Sequence, residues 1–590
     1  MESMSDLTIQ APALQVLWQA ITADPMDFQS WTALLSQVES VGSVGDAHLA
    51  YDGFLRQFPL CFGYWKKYAN LARRHPVPSD SNYAATGTSI EASVSSSDSR
   101  SRDDGTGSKP ESTAARVTAI FERAVVAAPF CREIWEAFVG HAMEGAGEKA
   151  GGGMQVGDAR RYGQFRLVFE RALEAVGDHP GTGELWRKCV AFEESQGGQE
   201  RRVAGLYERA LGHRLADLEV LWVDFRRFAD RTPWEKLAPE VETVGAKEGA
   251  TATAVTADNG EVRCYFLVVS QPLAAVVAIS ASEGLTDAEK MERFVKMLQD
   301  KREVSLRERE RRESFERRLT RPHFHVKPLD DSQLSAWSEY MDFEQAQATQ
   351  EGEGSGQAAR PKPAARKRPR GGGVRAELGG RRRRRGGGRG NKGKGSVERL
   401  FERCLVPCAS YWWLWERYAL WKESIWGVES ALEVAERACS PFVQWRPEAL
   451  FFRAELLERV GRTAEARAVY RRVLSEVAPG LVEGACKLAC FERRCGDRKA
   501  AEAAYRLLLP RPLGTGEGED GGGAGGLSNW EETTETTRPY LYMQLARFQH
   551  RISGDPGAAR TTFRAAVADV PGSRELWLAF LEFEAAQPQA

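Results

Sequence analysis

Several things are scarce in this sequence, and each shortage excludes something. Cysteine is sparse and unpatterned: the ten residues at 61, 131, 189, 264, 404, 408, 439, 486, 490 and 495 lie mostly inside apolar helical patterns. Neither a secreted disulfide framework nor a zinc site has that spacing, so a reducing compartment fits. Long apolar runs are missing as well. The most apolar stretch, Val262 to Ile279, is interrupted by Arg263, Ser270, Gln271 and Pro272, whereas a membrane span needs about 20 apolar residues. The opening MESMSDLTIQAPALQ has no basic region followed by an apolar core, so no secretory signal is expected. The 590 residues are 42% hydrophobic, enough for several cores or one extended array and far too many for a disulfide-stapled mini-protein.

Signs of chemistry are equally thin. Gly388 to Gly395 (GRGNKGKG) approaches a phosphate-binding loop, but Gly395 stands where a magnesium-binding hydroxyl is needed and no strand precedes it. The Gly-rich run 514–526 is acidic and would repel phosphate. His323 and His325 form a His-x-His without further ligands nearby, and read as a structural turn. The pairs Cys404/Cys408 and Cys486/Cys490 read as small buried hydrophobes on helices. No Ser/His/Asp or Cys/His constellation has supporting context, so neither catalysis, a metal nor a cofactor is expected.

Net charge is nearly absent too, at −1 from 81 basic and 82 acidic residues, but the average hides an asymmetry. Residues 360–394 hold fifteen Lys or Arg against one Glu, on an otherwise acidic chain. The cations Lys362, Arg366, Lys367, Arg368, Arg370, Arg381, Arg382, Arg383, Arg384 and Arg385 form an exposed cluster that suits nuclear import. A second reading is non-specific contact with RNA phosphates, and the plain alternative is a solvated low-complexity loop.

What is abundant is a repeat. An aromatic, an apolar residue three on and another three further, often trailed by Glu, recur throughout the chain. The copies are led by Trp31, Trp65 (with Tyr68), Trp135, Trp186, Trp222, Trp337 (with Tyr340, Phe343 and Glu344), Trp415 and Trp577; weaker ones start at Phe451, Ala485 and Tyr542. This spacing puts the side chains on one stripe of a helix. Trp31 to Trp65 is 34 residues, Trp186 to Trp222 is 36, and Phe451 to Ala485 is 34.

Between copies lies an aromatic-Glu-Arg-Ala core, as in Phe121 to Ala124, Phe169 to Ala172, Tyr207 to Ala210 and Phe401 to Cys404. Its small residues let helix axes approach closely. Pro59, Pro129 and Pro571 stop the second helix of their units. Each unit is therefore a helical hairpin whose helix A supplies aromatics and whose helix B supplies the small surface they pack on. Neither can bury its stripe alone, so neighbours stack. The expected fold is an all-α solenoid, with the fifth unit irregular and the last lacking its second helix. The ten repeat residues Trp31, Trp65, Tyr68, Trp135, Trp186, Trp222, Trp337, Tyr340, Trp415 and Trp577 are expected in its core.

The tetratricopeptide Gly is absent, and Trp, second aromatic and trailing Glu resemble instead the half-a-tetratricopeptide (HAT) repeat. The runs Phe58-Pro-Leu-Cys-Phe-Gly-Tyr-Trp-Lys-Lys-Tyr-Ala69 and Arg321-Pro-His-Phe-His-Val-Lys-Pro-Leu329 resemble, in the same order, runs of the pre-mRNA-processing factor 39 family. That resemblance implies a nuclear, non-enzymatic splicing scaffold that associates with proteins of the U1 small nuclear ribonucleoprotein and supports 5′ splice-site recognition. It also implies pairing through the C-terminal array, as a homodimer or with a related paralogue. The alternatives are a HAT scaffold of 3′-end cleavage and polyadenylation, or a direct RNA binder acting through 360–394.

On this reading residues 14–231 form an N-terminal array with inserts at 76–112 and 144–158. Residues 232–286 are an insert of unclear structure, including the apolar run 262–279, and 287–320 are a helical connector. Residues 321–590 form a C-terminal array with a basic insert at 345–396 and a Gly/Glu insert at 511–535. The inserts have the composition of disordered loops.

Overall fold

The structure, a computed structural model, describes residues 12–41, 44–75, 113–147, 156–195, 199–237, 284–354, 392–510 and 537–587, with a few single positions besides. Among them every regular element is a helix. The chain divides into two compact units, 1–407 and 408–590.

In the first unit, α1 (Pro12–Ala23) precedes the hairpins α2 (Phe28–Val41) with α3 (Val44–Gln57), and α4 (Phe62–Arg74) with α5 (Thr113–Ala127). Next come α6 (Arg132–Gly147) with α7 (Val156–Val176), and α8 (Gly183–Ser195) with α9 (Glu200–Ala210). Then follow α10 (Leu218–Arg231), the short α11 (Trp234–Leu237), the long α12 (Asp287–Arg318), and the hairpin α13 (Asp331–Gly354) with α14 (Lys392–Leu405).

The second unit pairs α15 (Trp412–Trp426) with α16 (Val428–Ala438), and α17 (Pro447–Val460) with α18 (Thr463–Arg472), the latter extended by the π-turn Val473–Val477. It continues with α19 (Val482–Arg494) and α20 (Arg498–Arg506), α21 (Arg538–Phe548) and α22 (Pro556–Asp569), and closes on α23 (Arg574–Ala585).

The predicted stripe is the core. Trp31, Trp186 and Trp337 are 0% exposed, and Trp65, Tyr68, Trp135, Tyr340 and Trp415 are 3% or less. The fourth residue of the aromatic-Glu-Arg-Ala motif, which is Ala124, Ala172, Ala210, Cys404 or Ala438, is 0% exposed at every copy. Absence of bulk there is what lets helix A seat its rings. Gly53 on α3 is the tightest such place: a Cβ would lie 2.8 Å from the Cη2 of Trp31. Gly53→Ala should therefore destabilise the first unit by about 1 kcal/mol in chemical denaturation, because overpacking exceeds the gain in helix propensity.

Three sequence expectations need correction. Trp577 is 45% exposed, with Leu578 and Leu581 beside it at 49% and 62%, because no described helix packs over the outer face of α23. Trp222 is only half-buried. Helix α13 runs ten residues into the expected basic insert, to Gly354, and α14 begins at Lys392. Of the apolar run 262–279, only Val276 and residue 279 are described, and Val276 is buried.

Candidate interaction surfaces

The repeat motif owes its residue types to three contacts that hold one unit to the next. First, the indole of helix A donates to a carbonyl six residues earlier. Trp31 Nε1 donates to the Pro25 carbonyl (2.9 Å), Trp65 to Pro59 (2.8 Å), Trp135 to Pro129 (2.7 Å), Trp415 to Ala409 (2.8 Å) and Trp577 to Pro571 (3.0 Å). The prolines that stop helix B thus also present the acceptor that fixes the next tryptophan. Where the loop is longer, Trp186 reaches back to Gly177 (2.8 Å). Trp337 follows a different loop, and among the described residues its buried Nε1 has no acceptor.

Second, the arginine of each aromatic-Glu-Arg-Ala core lies over the tryptophan of its own hairpin. Arg123 covers Trp65 at 5.7 Å, Arg171 covers Trp135 at 5.5 Å, Arg209 covers Trp186 at 5.4 Å, Arg403 covers Trp337 at 5.7 Å and Arg437 covers Trp415 at 5.2 Å. The acid of the motif pairs with the arginine of the following unit, as Asp52 with Arg123 (2.8 Å), Glu122 with Arg171 (2.7 Å) and Glu170 with Arg209 (2.8 Å). Each cation therefore serves a ring and a neighbouring repeat at once.

Third, the glutamate trailing helix A accepts a forked pair from an arginine on the preceding helix B. The pairs are Arg166 with Glu193 (2.8 and 2.8 Å), Arg312 with Glu344, Arg467 with Glu492 (2.6 and 2.7 Å) and Arg560 with Glu584 (2.6 and 2.8 Å). Each arginine stands three residues before the aromatic of its helix B (Phe169, Phe315, Tyr470 and Phe563). Glu193, Glu344 and Glu492 are 7%, 2% and 1% exposed, so the fork replaces their lost water.

These rules give α12 its place. Its amino end carries a capping box, Thr286 with Glu289. Its first half acts as helix B for α10: Arg302 covers Trp222 at 5.4 Å, Lys301 pairs with Glu208 at 3.3 Å, and Phe294 is fully buried against Phe225 and Trp234. Its second half acts on α13: Phe315 stacks on Tyr340 at 5.1 Å and Arg312 grips Glu344. In an ordinary copy those roles lie two residues apart, as Phe169 and Arg171. Here Arg302 and Phe315 are thirteen apart, about 20 Å along the helix.

Where α12 meets α13, α14 and the loops after α7 and α9 there is a cavity of about 300 Å³. Arg214, Arg309, Arg312, Arg399 and Arg403 line it together with Asp178, Glu313, Glu316 and Glu344. Its polar groups are held by partners in or beside the wall, Arg309 by the carbonyls of Leu215 and Ala216 and Glu313 by Arg317. Arg403 forks onto Glu316 (2.6 and 2.8 Å), which also accepts from Tyr340 Oη (2.9 Å). Arg399 pairs with Asp178, and Arg214 donates to Ser396 (2.8 Å). Burial favours a neutral Glu316, yet Arg403, the Tyr340 hydrogen bond and Arg214 together outweigh it and hold the carboxyl below its usual range. His179 is pushed well below the usual imidazole value by burial, and further by Arg403 and Arg132. The arrangement is a brace in which Asp178, Glu316 and Glu344 are each held by an arginine.

The expected nuclear-import or RNA-contact residues Lys362, Arg366, Lys367, Arg368, Arg370 and Arg381 to Arg385 lie outside the described residues. His325 is part of a turn, its Nδ1 accepting the Lys327 amide at 2.9 Å. Among the described residues no group of His, Cys, Asp and Glu could hold a metal, and no helix is long and apolar enough to cross a membrane. The sequence reading missed the Arg–Glu fork, although Arg-x-x-aromatic recurs at 166, 312, 467 and 560.

Comparison with known proteins matches this architecture. The family model described as PRP39 N-terminal HAT repeat covers residues 15–94 and 107–227, and that described as PRP39 C-terminal HAT repeat covers 310–353 and 389–494. Pre-mRNA-processing factor 39 of Mus musculus is 24% identical over 579 residues, spanning 97% of this chain and 69% of that protein. The Homo sapiens protein is 25% identical over 580 residues, with the same coverage, and that of Schizosaccharomyces pombe is 25% identical, covering 96% of this chain and 75% of its own. A solved structure, the crystal structure of CSTF-77, aligns with a TM-score of 0.41 at 11% identity over 80% of this chain and 73% of that one. With both family models seated on the tryptophan-led hairpins just described, the chain belongs to the PRP39 HAT repeat family.

Proposed function

We propose that this chain is a nuclear scaffold of pre-mRNA splicing that associates with protein components of the U1 small nuclear ribonucleoprotein and supports 5′ splice-site recognition. The observation that carries the reading is the match of both PRP39 repeat models, in order, to hairpins whose core contacts are intact. Processing of pre-mRNA is what the names of the relatives state. The basic segment 360–394 supplies the nuclear address, with non-specific RNA contact as its second use. Association through the C-terminal array with a second copy or a related paralogue belongs to the same reading.

Affinity purification of the tagged chain from nuclear extract, followed by sequencing of bound RNA, tests the reading. Enrichment of U1 RNA with its proteins is expected. Recovery of 3′-end cleavage factors without U1 RNA would instead place the chain in cleavage and polyadenylation.

A further inference from the structure

The two sequence runs that stand apart from the generic repeat, 58–69 and 321–329, meet in space. The ring of Phe62, in the first turn of α4, lies edge to face with His323 at 6.1 Å, although the residues are 261 positions apart. The parts of both runs that face outward serve no repeat contact. Gly63, Lys67, His325, Val326 and Lys327 are exposed, while Trp65, Tyr68 and Leu329 anchor the runs from beneath.

We infer that this surface, built from Phe62, Lys66 and Lys67 of α4 and His323, His325 and Lys327 of the loop before α13, is a binding site for single-stranded RNA. Three observations support it. The loop is held in one shape by its own bonds, which lowers the entropy cost of binding: Arg321 donates to the carbonyls of Lys327 (2.9 Å) and Pro328 (3.2 Å), and His325 Nδ1 takes the Lys327 amide. Among the described residues the three lysine amines have no carboxylate partner, whereas the motif arginines Arg123, Arg171 and Arg209 are each paired; Lys66 instead sits 5.5 Å over Phe62, and Lys67 sits 4.9 Å over Tyr64. Gly63 stands in the first turn of α4, and a Cβ there would meet nothing within 4 Å, so the fold does not require the bare backbone that a close-lying ligand could use.

Amines without acids beside imidazole and phenyl rings match a nucleotide chain, whose phosphates meet the former and whose bases stack on the latter. An acidic peptide would use the amines and leave the rings idle. The site uses no residue of segment 360–394 and does not depend on the U1 assignment.

The test is ultraviolet cross-linking of the full chain to an oligouridylate of about twelve nucleotides, with mass-spectrometric mapping, alongside fluorescence anisotropy of the same RNA. Cross-linked nucleotides are expected on peptides containing residues 62–67 and 321–329. K66A/K67A should weaken binding roughly tenfold near physiological salt and lower the slope of log affinity against log salt by about 1.4. K327A, a change that keeps the bond from the residue-327 amide to His325, should weaken binding in the same direction, with the thermal melt of both variants unchanged. Cross-links confined to 360–394, or variants that bind RNA like the parent, would overturn the proposal. So would loss of binding to a polyglutamate peptide in the variants while RNA binding persists.

Discussion

Glu344→Ala is expected to destabilise the first unit by about 3–5 kcal/mol, because it leaves the Arg312 guanidinium buried without its main counter-charge. The side chains of Arg312 and Glu344 are 7% and 3% exposed, and Glu308 supplies only a second, intrahelical contact to Arg312. Arg312→Ala should cost a similar amount. Arg312→Met combined with Glu344→Leu should recover most of the loss, since an apolar pair of like volume carries no desolvation penalty. Amide hydrogen exchange along α12 and α13 is the measurement, because a repeat protein opens locally and a single melting temperature would average over both units. The equivalent fork at Arg560 and Glu584 has side chains 36% and 37% exposed, so breaking it should change protection in α22 and α23 little. If both forks respond alike, burial is not what gives the Arg312 pair its weight.

The second large effect is at Trp186. Trp186→Ala should cost about 3–5 kcal/mol through the cavity it opens, with protection lost first in α8 and the helices packed on it, α7 and α9. Trp186→Phe keeps most of the volume but leaves the Gly177 carbonyl without the indole N–H, which predicts a smaller loss of about 1–3 kcal/mol. Trp577→Ala is the contrast. Its ring is nearly half exposed, so the chain should stay folded. If the α23 face pairs two copies, Trp577→Glu should shift the chain to monomer in size-exclusion light scattering. An unchanged dimer would place the contact elsewhere.

The hairpins were legible because spacing at three and six residues leaves little choice about which face of a helix is buried. What periodicity did not convey was reach across the chain. Pro59 and Pro129 read as stop signals from sequence, while the fold brings Trp65 and Trp135 onto their carbonyls. The trailing Glu was visible as a pattern but had no partner, because Arg166 and Arg312 lie 27 and 32 residues away on another helix. Helix α12 looked like a plain connector, since its two halves do the work of one helix B with the motif pulled apart between Arg302 and Phe315. Trp577 was misjudged because a repeat pattern implies a next neighbour, and the described chain supplies none beyond α23. The meeting of Phe62 with His323 joins residues from distant repeats, which no local spacing rule encodes.

Helix α12 runs 32 residues from Asp287 to Arg318 without a proline or glycine, a length of about 48 Å. Lacking a hinge, it should behave as a stiff beam: a tug on α10 at one end is delivered to α13 as displacement of the whole rod, not absorbed by bending midway. The first unit is in this respect a lever with its grips near Trp222 and Glu344, and partners seated at either end would feel each other's load.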